Sequence, residues 1–236
     1  METKNKNLLF LDVETTGLAE EDRLCEVAYA TGTISNQSYF KPPLPIKVGA
    51  MAVSHITNKM VENAEPFIDS LMWEDLVNHA TADYIFVAHN APFDLAMLAK
   101  EGVVFEKYID TKKMSHALDP NQEMESHRLQ YLRYYYGVEM QNAVAHSADG
   151  DVAVLRAVFE CLREKMGNPS IEELIELSAR PVLYSKFKFG KYNGNDIASV
   201  AAIDPGYLEW LLKSKKENGQ DEVDWIYTLE HYLNNR

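Results

Sequence analysis

The sequence predicts an α/β fold, with a central mixed sheet flanked by helices and a small α+β module at its C-terminal end. Three observations carry this expectation. The β-rich segments first follow one another and then alternate with helical ones, the order that yields a mixed sheet. Two short runs, LLFL at 8–11 and YIFVAHN at 84–90, read as buried strands. A Gly167-Asn168-Pro169 break precedes a segment of different character, which places one domain at 1–166 and a module at 167–236.

The elements follow in order. After the first strand, residues 24–33 and 37–41 are β-rich, and Ser35 and Asn36 between them suggest a hairpin turn. Pro42, Pro43 and Pro45 then interrupt regular structure. Leu71, Met72 and Leu76 mark a helix over 69–79, ahead of the second apolar strand. Pro92 opens a helix that Gly102 closes. A strand near 104–109 leads into a short helix from Thr111. Leu129, Leu132 and Tyr136 share one face of a helix over 128–136, and 148–166 reads as a long amphipathic helix. Beyond the break, Ser170 and Glu173 form a capping box for a new helix. YSKFKFGKY then reads as a strand or hairpin, and helical stretches follow near 205–213 and 222–233, with Tyr207, Trp210 and Leu211 expected in the module's core.

The length of 236 residues suits one large domain, or one domain with an appendage. No run of 18 apolar residues occurs, so no membrane span is expected. The opening METKNKN lacks the apolar core of a signal peptide, and two cysteines make neither a metal site nor a disulfide framework; both features suit a cytoplasmic protein. The net charge of −13 argues against coating nucleic acid by bulk electrostatics. It is compatible with an enzyme that grips a strand end and carries acidic metal ligands.

Four acids stand at meaningful positions. Asp12 and Glu14 follow the first strand at i and i+2, so both side chains project to the same side at its carboxyl end. Asp94 and Asp151 each open a helix. Met97 and Leu98 follow Asp94, and Val154 and Leu155 follow Asp151, at i+3 and i+4. Each acid therefore sits above an apolar face and points toward the sheet. Neighbouring carboxylates repel one another, and hard divalent cations that prefer oxygen ligands offset that repulsion. His146 lies five residues before Asp151.

The ordered set DVETTG, AHNAPFD and H-x-A-x-x-D resembles the three motifs of the DnaQ-like, or DEDDh, 3′–5′ exonucleases over about residues 8–165. AVSHIT, with His55 and Ile56, resembles that family's loop before its second motif. The resemblance implies an RNase H-like fold and two Mg2+ or Mn2+ ions per site. It places Asp12, Glu14 and Asp151 on the first ion, has Asp12 bridge to the second, and lets Asp94 reach that ion through water. It makes His146 the base that takes a proton from the attacking water. Thr15, Thr16, Gly17 and Leu18 would meet the terminal nucleotide, with His55 beside it. Asn90 would position a phosphate or cap its helix.

Residues 184–212 look like the small C-terminal module of exodeoxyribonuclease X-like proteins, although Asn195 stands where relatives carry a lysine. Lys186, Lys188 and Lys191 interleave with Phe187, Phe189 and Tyr192, a composition suited either to strand contact or to a half-buried strand. The implied activity is release of nucleoside 5′-monophosphates from a DNA 3′ end, single-stranded or frayed, with no membrane partner. RNA trimming, a polymerase proofreading role and a non-catalytic end-binding module stay open. Oligomeric state is not legible.

Overall fold

The computed structural model describes residues 7–32, 34–82, 84–139, 148–218 and 222–235. One five-stranded sheet runs in the order β3-β2-β1-β4-β5, with β1 at Leu8–Thr15, β2 at Leu24–Ala30, β3 at Ser35–Tyr39, β4 at Ile85–Ala88 and β5 at Tyr108–Asp110. β1, β2 and β3 form an antiparallel meander, while β4 and β5 run parallel to β1. The sheet is thus mixed, as its element order predicts.

The helices are α1 (Val48–Ser54), α2 (Asn58–Val61), α3 (Leu71–Thr81), α4 (Ala91–Lys100), α5 (Thr111–Ala117) and α6 (Leu129–Tyr135). They continue with α7 (Ala148–Lys165), α8 (Ile171–Ala179), α9 (Ile197–Ile203), α10 (Pro205–Asn218) and α11 (Val223–Asn234). Alternation along β1 sorts the two faces. Leu8 and Phe10 join the core under α7, where Phe10 meets Phe159 edge to face at 5.4 Å. Leu9, Leu11 and Val13 join the opposite core with Leu98 of α4 and Leu76 of α3. By the same alternation Asp12 and Glu14 fall on the α7 face.

Several elements differ from the sequence expectation. The β2–β3 turn comes earlier: Thr31 N–H donates to the Ile34 carbonyl at 2.8 Å, and Ser35 and Asn36 lie inside β3. That strand is an exposed edge, so its polar residues meet water and give no apolar signal. β5 is only three residues long. The capping box of α8 forms as expected, but Leu174 of that helix is buried in the same core as Phe10 and Phe159. The first domain's core therefore extends past the break at 167–169. YSKFKFGKY folds back antiparallel on the residues after it through one bridge, Lys186 with Asp196, and the Phe187 N–H donates to the Asn195 carbonyl at 3.0 Å. Phe187, Leu208 and Leu211 centre the module's core with Tyr207 at its margin, whereas Trp210 is 61% exposed.

Candidate active site

The site forms where β1 outlasts its neighbour. Pairing of β1 with β4 ends at Phe10 and Val87, so the β1 residues beyond have no strand on that side. Asp94, only 4% exposed, takes the place of that strand: the Val13 amide donates to its Oδ1 at 3.2 Å. Asp94 reaches this point because α4 starts directly above β4. Asn90 turns the chain at φ 75°, and Pro92 sits in the first turn. The Asn90 side chain makes no cap; its Oδ1 accepts from Lys112 Nζ at 3.2 Å. The Asn90 backbone N–H donates to Asp110 Oδ1 at 3.0 Å, and the Lys112 backbone N–H donates to the same oxygen at 2.9 Å.

Asp151 arrives from the other face. Val154 and Leu155 are buried below it, anchoring α7 on the sheet. Gln130 of α6 donates from Nε2 to Asp151 Oδ1 at 2.6 Å. The motifs do not reveal this partner. Gln130 lies between Leu129 and Leu132, which pack into the α7-side core, and that placement was the available signal.

The four acids feel one another. Burial raises the Asp12 carboxyl well above the usual range, and repulsion from Asp94, Glu14 and Asp151 adds to it. Asp94 is also raised, first by burial, against the Val13 hydrogen bond that lowers it. Glu14 is pushed up to about 7 by burial and by repulsion from Glu26 and Asp151. Glu26 faces Glu14 across the β1–β2 ladder, is buried, and accepts a hydrogen bond from Gln37. It is a fifth acid that the motif reading missed, although it is the one charged residue in the run LCEVAYA.

Among the described residues, no three His, Cys, Asp or Glu side chains close on a single ion-sized point. The donor set itself fits a hard divalent cation: it offers oxygens only, and it carries a mutual repulsion that a cation relieves.

The loop after β1 is braced from beneath. Thr15 Oγ1 donates to the Gly17 carbonyl at 2.8 Å, and Thr16 Oγ1 donates to Asp22 Oδ1 at 2.7 Å. Lys47 Nζ sits 2.6 Å from Asp22 Oδ2. Burial alone would raise the Asp22 carboxyl, but bonds from Lys47, Thr16 and the Ala19 amide bring it to about 2. A Cβ on Gly17 would stand 2.5 Å from Asp22 Oδ2, so the brace requires glycine there. Leu18 at the tip is 86% exposed and packs against no core. His55 caps α1 in the left-handed region, at φ 60°, and is exposed. His146 lies outside the described residues.

Comparison with known proteins agrees with this architecture. The exonuclease family pattern matches residues 9–159, and the exodeoxyribonuclease X-like C-terminal pattern matches residues 187–216. Exodeoxyribonuclease 10 of Escherichia coli K12 is 31% identical over 235 residues, covering 97% of this chain and 99% of that protein. The PolC-type DNA polymerase III of Staphylococcus epidermidis is 28% identical over 189 residues, covering 75% of this chain and 13% of the polymerase. A solved structure of exonuclease X in complex with 5′-overhanging duplex DNA shares the fold at a TM-score of 0.59 and 23% identity, covering 73% of this chain and 99% of that one. Exonuclease I shares it at a TM-score of 0.53 and 19% identity, over 68% of this chain and 41% of that one.

A mixed sheet that sets two acids at the end of its central strand, and brings one more from a helix on each face, defines the 3′–5′ exonuclease class. The chain belongs to the DnaQ-like exonuclease family and is closely related to exodeoxyribonuclease X. Among the described residues, no helix is long and apolar enough to cross a membrane.

Proposed function

We propose that the chain is a divalent-metal-dependent 3′–5′ exodeoxyribonuclease that releases nucleoside 5′-monophosphates from DNA 3′ ends. The observation that carries this reading is the gathering of Asp12, Glu14 and Asp94 in one buried spot, where burial first and then repulsion from nearby acids raises each carboxyl, with Asp151 adding to the repulsion on Asp12 and Glu14. Its relative over nearly the full chain, exodeoxyribonuclease 10, supports DNA as the substrate.

Asp12, Glu14 and Asp151 would hold one Mg2+ or Mn2+ ion; Asp12 would also serve a second, with Asp94 behind water. Bound there, two ions supply Lewis-acid stabilisation of the attacking and leaving oxygens. The protein's own groups do the rest. Gln130 holds one oxygen of Asp151, and the Val13 amide holds one oxygen of Asp94, so each carboxylate keeps a fixed orientation. His146 would take the proton of the attacking water. The braced loop at Thr15, Thr16 and Gly17 offers backbone groups to the terminal sugar, and exposed Leu18 meets its base. His55 borders the same nucleotide, and Asn90 faces a phosphate.

The experiment is nucleotide release from matched DNA and RNA strands, with magnesium and with chelator. Metal-dependent release of 5′-monophosphates from DNA is expected. Preference for RNA would reassign the substrate, and strand binding without release would leave a non-catalytic end-binding module.

A further inference from the structure

A cavity of about 590 Å3 lies between the exonuclease sheet and the C-terminal module, lined by residues of both. It does not contain the four acids. It does include Asn90, four residues and about 6 Å of helical rise before Asp94. Its size falls within the ~300–1,000 Å3 that encloses a nucleotide-sized ligand.

The seam between the two parts is fixed. The Lys186 amide donates to Gln122 Oε1 at 3.0 Å, and Lys188 Nζ donates to the carbonyls of Gln122 and Met124 at 3.1 Å each. The cleft is therefore preformed, with little ordering cost on binding.

Its charge contrasts with the rest of the molecule. Lys112, Arg128, Lys186 and Lys188 line it against one carboxylate, Glu125, in a chain of net charge −13. Arg128 and Lys186 have no carboxylate partner among the described residues, and Lys112 Nζ meets only the neutral oxygen of Asn90. His116, also in the lining, keeps a buried Nδ1 without a hydrogen-bond partner. On the module side the half-buried rings of Phe189 and Trp225 meet edge to face at 4.9 Å. Positive charge beside flat rings is the pairing that holds single strands, phosphates on the cations and bases on the rings.

We propose that this interdomain cleft binds the substrate strand upstream of its 3′-terminal nucleotide, with phosphates against Arg128 and Lys186 and a base against Phe189 and Trp225. The proposal rests on the exonuclease reading above and adds to it a second strand-binding site built jointly by the two parts of the chain.

The test uses the full chain carrying Asp12→Asn, so that strands stay intact, and a short fluorescent oligothymidylate titrated at several salt concentrations. Adding Arg128→Glu with Lys186→Glu should weaken binding at least about tenfold and reduce the salt slope by about 1.4, at about 0.7 per lost phosphate contact. Phe189→Leu should weaken binding about fivefold or more and leave the slope unchanged, because stacking releases no counterions. Lys107→Glu with Lys213→Glu, the same charge change outside the cleft, should leave both intact. Unchanged binding in the cleft variants, or equal loss in the control pair, overturns the proposal. So does selective loss of free thymidylate binding with strand binding intact, which would assign the cleft to a released nucleotide. The exonuclease reading is judged separately, by metal-dependent hydrolysis of the p-nitrophenyl ester of thymidine 5′-monophosphate in the chain with Asp12 restored. That ester is too small to span the cleft, so its failure would sink the catalytic reading and leave the binding result standing.

Discussion

The Val13 amide and the Asp94 carboxylate meet at 3.2 Å across 81 residues of sequence, in the place where a longer β4 would have supplied a ladder bond. A carboxylate in that position satisfies a backbone donor and still keeps a second oxygen for chemistry. Removing it leaves a buried N–H unpaired, which costs about 1–3 kcal/mol. Asp94→Ala should therefore lose both stability and turnover, whereas Asp94→Asn should keep most of the stability and still lose turnover. Thermal unfolding beside a nuclease assay separates the two effects.

Asp12 behaves differently, because burial raises its carboxyl and repulsion from the neighbouring acids adds to it. Asp12→Ala should lower turnover by about 10³ or more, the several kcal/mol a metal ligand set contributes at 1.36 kcal/mol per tenfold. The thermal midpoint should hold or rise, since one repelling anion is gone. Near-normal nuclease activity in this variant would remove Asp12 from the site.

Gln130 is a positioning residue for Asp151. Gln130→Leu should lower activity about 10- to 100-fold, the usual loss when an outer partner of a metal ligand is removed. A metal titration should show weaker affinity in parallel. His146→Ala should instead reduce kcat by about 10²–10⁴ with metal affinity unchanged. Collapse of metal affinity in that variant would make His146 a ligand rather than a base.

Glu14 sets a pH dependence in the metal-free protein. Its carboxyl titrates near 4.5 in the unfolded chain and near 7 in the native one. The native state keeps the proton longer, so this contribution is complete below about pH 4.5 and is lost as pH rises through about 7. The thermal midpoint without metal should fall across that window, and Glu14→Gln should flatten the fall. Magnesium should raise the midpoint more above the window than below it.

The four acids of the candidate site are legible in the sequence because each sits on a strongly patterned element. Asp12 and Glu14 end an apolar strand, while Asp94 and Asp151 open helices whose i+3 and i+4 residues are apolar. What it concealed depends on contacts between distant segments. Gln130 reads as an ordinary polar helix residue until α6 packs beside α7. Asp110 reads as a solvated or capping acid; it does cap α5 by accepting from the Lys112 amide, but it is 2% exposed and also holds the Asn90 amide, a contact the sequence does not show. His89 and His127 show no spacing pattern, and only the fold joins His89 Nε2 to the His127 carbonyl at 2.7 Å. The turn falls before Ser35 rather than at Ser35 and Asn36, a difference the sequence hides because an exposed edge strand carries no apolar periodicity.

The position of α8 predicts how the chain tolerates truncation. Leu174 is fully buried in the exonuclease core, so Leu174→Ala should cost about 2–5 kcal/mol. A chain ending at Met166 should unfold at a lower temperature than one ending at Arg180, and denaturant titration of the two would show it.

Ser178 gives that position a further meaning. Its hydroxyl accepts from the Asp110 amide at 2.8 Å, on the outer side of β5, and Tyr108 OH donates to its carbonyl at 3.3 Å. β5 is the last strand of the sheet, and a bare strand edge is a template for pairing with another chain. α8 closes that border. The opposite border, β3, is instead a short row of exposed Ser, Asn and Gln side chains that attracts little. The helix that leads into the C-terminal module thus also keeps one copy of the enzyme from zipping onto the next, and a chain cut before it would be prone to self-association as well as less stable.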